Sequence, residues 1–255
     1  GPEHPDIALG YNNNALVYKT RGDNVKALEL YNEALRITLG AYGEKHSASA
    51  IIYDNIGNAY DAGGDFQRGL DNHLKALDIF RAVYGEDNTE TAIAYNNVAA
   101  AYDSLGEYGK AADNYLSSLE ISRKLLGENS KNVAMALDNL GVVFHKIGEN
   151  EKALKFHNEA LEILLKIDGE KHNDTAVTYN NVAIARDFLG EKKEAIENYL
   201  KAINIWIEIF GEQHHAVAAG RNNIGTLYQT TGEDEKAIEY FNAALSSLCE
   251  PGKTP

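Results

Sequence analysis

The chain has 255 residues, 44% of them hydrophobic and only four of them proline, which is ample for a buried core and unlike a fibrous or disordered polymer. Lys and Arg number 24 against 38 Asp and Glu, a formal net charge of -14, the wrong sign for a phosphate backbone or an anionic membrane surface. No apolar run approaches the roughly 20 residues of a membrane span, so neither nucleic acid nor membrane is an expected partner.

The opening residues, GPEHPD, show no basic stretch followed by an apolar one, so no secretory signal is read there. Gly1-Pro2 reads as a scar of tag removal, and residues 1–4 as scar and leader. Residues 5–250 then repeat at an offset of 42. The first copy holds Asn12-Asn13 in an apolar helical pattern, a turn at Gly22, Ala34 in a second pattern, and a closing Gly43. The second has Asp54-Asn55, Gly64, Ala76 and Gly85, and the third Asn96-Asn97, Gly106, Ser118 and Gly127. Asp138-Asn139, Gly148, Ala160 and Gly169 make the fourth, Asn180-Asn181, Gly190, Ala202 and Gly211 the fifth, and Asn222-Asn223, Gly232 and Ala244 the sixth. Residues 251–255 read as a disordered tail.

A period near 42 also suits a propeller blade, so the pattern inside one copy decides. Tyr95, Val98, Ala99 and Tyr102 fall at three- and four-residue steps, "LGE" intervenes, and Ala111, Tyr115, Ser118 and Leu119 repeat those steps. This predicts two amphipathic helices joined by a glycine turn, with no period-two strand. Gly106 stands where a helix C-cap needs positive φ.

The order Tyr95, Ala99, Tyr102, Ala111, Tyr115, Ser118 resembles the tetratricopeptide repeat family. Its 42-residue length and the phrases "YNNVA", "LDNLG" and "RNNIG" are most similar to repeats of the kinesin light chain type. The resemblance implies an all-α, right-handed superhelical solenoid of six helix-turn-helix repeats whose first helices line a concave face. It also implies that Asn13, Asn55, Asn97, Asn139, Asn181 and Asn223 hydrogen-bond the backbone of an extended bound peptide. An amide suits that task, having one acceptor and two donors. The adjoining row, Asn12, Asp54, Asn96, Asp138, Asn180 and Asn222, projects about 100° away on the helix. The other reading of these amides is architectural, with each one capping or bridging neighbouring helices.

Lys19, Asp61, Asp103, His145, Asp187 and Gln229 lie seven residues beyond the row Asn12, Asp54, Asn96, Asp138, Asn180 and Asn222 and share its face by helical spacing. Asp54, Asp61, Asp103, Asp138 and Asp187 then oppose Lys19, Lys146 and His145, which makes the inner surface acidic and a neutral to basic segment the expected ligand. A merely solvated charge row is the plainer alternative.

His46, His172 and His214 occupy the same place in three copies, with Asn88 and Ser130 there in two others. Stacked helices are about 10 Å apart, too far for zinc ligands at about 2.0 Å, so these residues read as turn or helix-start positions. No Walker loop, HExxH, GxSxG or paired CxxC occurs, which leaves no catalytic residue, metal or cofactor expected. Trp206 reads as core, and Arg186 as locally paired. The single cysteine, Cys249, allows no internal disulfide and suits a cytoplasmic setting. The expected function is a non-enzymatic protein-interaction scaffold. The alternative is a self-assembly module, because "EKAIEYFNAALSSLCE" is followed only by "PGKTP" and solenoid ends without polar caps tend to associate end to end.

Overall fold

A computed structural model describes residues 4–248. The tag scar, Cys249 and the tail lie outside the described residues. Within them the chain forms twelve α-helices and no strand. They are α1 (Pro5–Thr20), α2 (Asn24–Tyr42), α3 (Ser47–Ala62), α4 (Phe66–Tyr84), α5 (Thr89–Ser104) and α6 (Tyr108–Leu126). The series continues with α7 (Lys131–Lys146), α8 (Asn150–Ile167), α9 (Asn173–Phe188), α10 (Lys192–Phe210), α11 (His215–Thr230) and α12 (Asp234–Leu248). Two compact units divide them: Gly1–Gly127 contains the hairpins α1/α2, α3/α4 and α5/α6, and Glu128–Pro255 the other three.

The hairpins form because each helix is stopped and restarted by its own sequence. Gly106 takes φ 77° between α5 and α6, a region costly for any residue with a Cβ, and Glu107 N–H then reaches back to Tyr102 O at 2.9 Å. The expected helix-start row is found in place. His46, His172 and His214 each offer Nδ1 to the backbone N–H two residues on, at 3.1, 3.2 and 3.3 Å. Asn88 and Ser130 likewise cap α5 and α7. His4, at the end of the stretch read as leader, caps α1 by accepting from Asp6 N at 3.3 Å.

Packing follows the small residues. Ala15, Ala27 and Ala34 in the first hairpin are fully buried, as are Ala183, Ala195 and Ala202 in the fifth, so the paired helices approach closely. Trp206 is core, with Nε1–H donating to Asn173 Oδ1 at 3.2 Å. Arg186 pairs locally, with Glu191 at 2.5 Å. No described helix is long and apolar enough to cross a membrane.

Candidate functional site

Asparagine is a poor helix former because its amide competes for backbone hydrogen bonds, so a recurring pair inside six helices needs a use. In the first unit Asn55 Nδ2 donates to Asn12 Oδ1 at 2.9 Å, and Asn97 Nδ2 to both oxygens of Asp54 at 2.9 and 3.0 Å. In the second unit Asn181 donates to Asp138 Oδ2 at 2.9 Å and Asn223 to Asn180 Oδ1 at 3.0 Å. The second Asn of one repeat thus reaches the first position of the repeat before it. What spacing separated into two rows is one ladder, tying α1 to α3 and α3 to α5, then α7 to α9 and α9 to α11. Asn13 accepts a long bond from Asn12 at 3.5 Å. Asn96, Asp103 and Asn139 are also engaged, and Asn222 is exposed. These bonds use Nδ2, and an amide oxygen has lone pairs of its own for a further donor.

In two repeats the first ladder position is also tied to the middle of the second helix, where Tyr31, His73, Tyr115, His157, Tyr199 and Phe241 recur. His73 is 1% exposed. Its Nδ1 lies 2.7 Å from Asp54 Oδ1 and its Nε2 3.1 Å from Asp61 Oδ2. Burial by itself would push this imidazole's pKa down; the hydrogen bonds to Asp54 and Asp61, with their attraction, reverse that and raise it to about 9. His157, equally enclosed, has Nδ1 2.6 Å from Asp138 Oδ1. Room for both rings comes from a missing methyl: a Cβ on Gly57 would stand 2.7 Å from the His73 ring, and one on Gly141 2.5 Å from the His157 ring. Where the second helix carries Tyr, the glycine is replaced by Ala15, Ala99 or Ala183 and the aspartate by Asn12, Asn96 or Asn180. Gly69 belongs to the same adaptation, since its Cβ would meet Asp61 Oδ1 at 1.8 Å.

The aspartates read as a row of groove charges are therefore not equivalent. Asp54, Asp61 and Asp138 are turned onto interior imidazoles, with side chains only 19, 26 and 16% exposed. Asp187 pairs with Lys192. The sequence reading passed over the two histidines; their signal was the joint change of Asn to Asp, Ala to Gly and Tyr to His in copies two and four.

A second feature was also passed over. Leu9, Ile51 and Ile93 in the first unit and Met135 and Val177 in the second stand one repeat apart, and all are large apolar side chains left exposed. Each lies three residues before the ladder's first position, hence on the same helical face. Between first helices this face sinks into clefts, one of about 260 Å³ between α1 and α3 and one of about 170 Å³ between α7 and α9.

A different cluster, Asp168, His172 and Asp174, brings ligand-type atoms within 4.8 Å of one another. Lys131 Nζ already sits 2.7 Å from Asp174, and His172 Nδ1 accepts the α9 cap bond. The lysine supplies the positive charge a metal would bring.

Helical hairpins in series, with a polar ladder along the first helices, define an all-α repeat protein. The tetratricopeptide repeat pattern matches residues 6–68, 62–124, 105–166, 132–206 and 174–250, and the chain belongs to that family. Solved structures share the fold. BtubC (BKLC) from P. vanneervenii is 22% identical with a TM-score of 0.74, over 91% of this chain and 94% of its own. The nearly identical TPR-like repeats of a Podosopora anserina protein assigned as a kinesin light chain are 18% identical, TM-score 0.69, over 81% and 98%. A Rap protein complexed with Competence and Sporulation Factor is 14% identical, TM-score 0.70, over 93% and 73%. Among curated proteins none matches.

Proposed function

We propose that the chain is a non-enzymatic, cytoplasmic scaffold whose repeats form one solenoid and hold an extended peptide or partner segment along the first helices. The observation that carries this reading is the face itself. Exposed Leu9, Ile51, Ile93, Met135 and Val177 run beside an amide ladder, so apolar side chains and backbone-reading groups are offered together, once per repeat. Asn13, Asn55, Asn97, Asn139, Asn181 and Asn223 supply amides to the peptide backbone, and the neighbouring Asn12, Asp54, Asn96, Asp138, Asn180 and Asn222 orient them. Asp61, Asp103 and Asp187 border the groove. A net charge of -14 favours neutral to basic segments. The Rap protein found with Competence and Sporulation Factor supports the reading by analogy of fold alone.

The test replaces Asn55 and Asn223 with Ala, since both donate to neutral partners. Each lost bond is worth about 0.5–1.5 kcal/mol of stability, a modest cost relieved by alanine's better helix propensity. Affinity for a peptide selected on an array should fall about tenfold or more in the folded double variant. Undiminished affinity would show that the ladder serves architecture only.

Self-association is the second reading, favoured by α12, which exposes Ile238, Leu245 and Leu248 by 53–60%. A heterologous contact there does not close on itself. Light scattering should then show mass rising with concentration, and Leu245→Glu should abolish the rise; a constant monomer mass would dispose of this reading.

A further inference from the structure

Two clefts occupy the same place in the repeat and differ in lining. Between α1 and α3 the walls are Leu9, Ile51, Ile52 and Tyr42, with Asn12 at one side and Asp6 on the rim. Leu9, Ile51 and Tyr42 are 60, 50 and 49% exposed, so much of this apolar wall faces water. Between α7 and α9 the corresponding residues include Met135 and Val177, but Asp138 replaces Asn12, Asp174 replaces Ala48 and Thr178 replaces Ile52. That cleft is smaller and has two carboxylates in its lining. Water in the first cleft lies against a mostly apolar wall, and an apolar group displaces such water with gain.

We infer that the α1/α3 cleft is the selectivity site of the groove and takes a bulky aliphatic or aromatic side chain of a bound segment, next to a basic residue. This rests on the reading of the first helices as a peptide groove and names which side chain that groove selects. Size and apolar lining call for a Leu- or Phe-sized group. The basic neighbour follows from charge complementarity: Asp6, the charged residue of the lining, is 87% exposed, and the chain as a whole carries -14, which draws in a cation and disfavours an anion. Asn12 Nδ2, held by a long 3.5 Å bond to Asn13, is placed to donate to a carbonyl of the segment.

The probes are dodecamers of Gly, Ser and Lys with one central residue varied among Phe, Leu, Ala and Asp, measured by fluorescence anisotropy. Phe and Leu peptides should bind at least about tenfold tighter than Ala, the return on burying one large apolar side chain. Ile51→Arg should remove that discrimination, whereas Val25→Arg, a change of the same kind at a 73% exposed position on α2, should leave it intact. Should Ile51→Arg lose its helical circular dichroism, Leu9→Gln serves in its place. Exchanging Lys for Glu around the central Phe should weaken binding about tenfold or more. Equal binding of Phe and Ala peptides, or an equal effect of the two Arg variants, overturns the cleft assignment while the groove reading stands. Retention of no peptide at all overturns both.

Discussion

Replacing His73 with Phe should destabilise the first unit by about 3 kcal/mol, the low end of the cost of removing one partner from a buried ion pair. Phe is accepted at this position in the sixth repeat, as Phe241, so shape alone does not forbid it. The cost arises on the opposite helix. Asp54 Oδ1 and Asp61 Oδ2 both face the imidazole, and Asp61 Oδ1 is already buried without a hydrogen-bond partner. Deleting the ring's nitrogens leaves Asp54 with Asn97 as its inter-repeat donor and Asp61 with no donor in place of the ring. Partial exposure of 19 and 26% keeps the cost from the top of the range. The remedy is contained in the chain itself. Repeats three and five carry Asn96, Ala99 and Tyr115, or Asn180, Ala183 and Tyr199, in these places. The combined change Asp54→Asn, Gly57→Ala, His73→Tyr, with Gly69→Ala, should recover most of the stability, while Gly57→Ala alone forces a methyl against the ring and costs about 1–3 kcal/mol. Such strong non-additivity is the mark of residues in one contact network. Urea denaturation at neutral pH reads each variant. A His73→Phe cost under about 1 kcal/mol, or additive single changes, would refute the coupling.

The sequence showed best what the backbone demands locally. Gly106 and Ser130 could be placed because a left-handed turn and a helix start each accept few residue types. The family was legible from Tyr95, Ala99, Tyr102, Ala111, Tyr115 and Ser118, for their spacing is set by helix periodicity. The ladder was only half legible. Asn97 and Asn96 point about 100° apart on one helix, so their rows looked independent, and only packing of α5 against α3 shows that Asn97 meets Asp54. His73 was hidden for a related reason, because its partners lie 19 and 12 residues away on another helix. The exposed row beginning with Leu9 escaped because apolar residues in a helical pattern are assigned by default to the core, and burial, not pattern, separates Leu9 from fully buried Ala15.

The same triad makes stability depend on pH in a defined direction. An imidazole whose folded pKa is about 9 against about 6.5 unfolded binds its proton more tightly in the native state. Its contribution is therefore present in full below about pH 6.5, declines between there and 9, and is lost as pH rises through the folded value. A pKa gap of about 2.5 corresponds to on the order of 3 kcal/mol. The groups facing the ring are Asp54 and Asp61 from α3, with Asn97 of α5 behind Asp54, and the two carboxylates favour the cation. Other groups also titrate towards pH 10, so the measurement compares two chains: the natural one and the fourfold variant with the substitutions Asp54→Asn, Gly57→Ala, Gly69→Ala and His73→Tyr. Chemical denaturation from pH 6 to 10 should show the natural chain losing more stability than the variant by an amount of that order, with most of the difference arising above pH 6.5. NMR titration of the His73 ring should find it still protonated at pH 8. Parallel pH profiles, or a ring that is neutral at pH 7, would mean that burial outweighs the two carboxylates and that the triad is held together as a neutral hydrogen-bonded network.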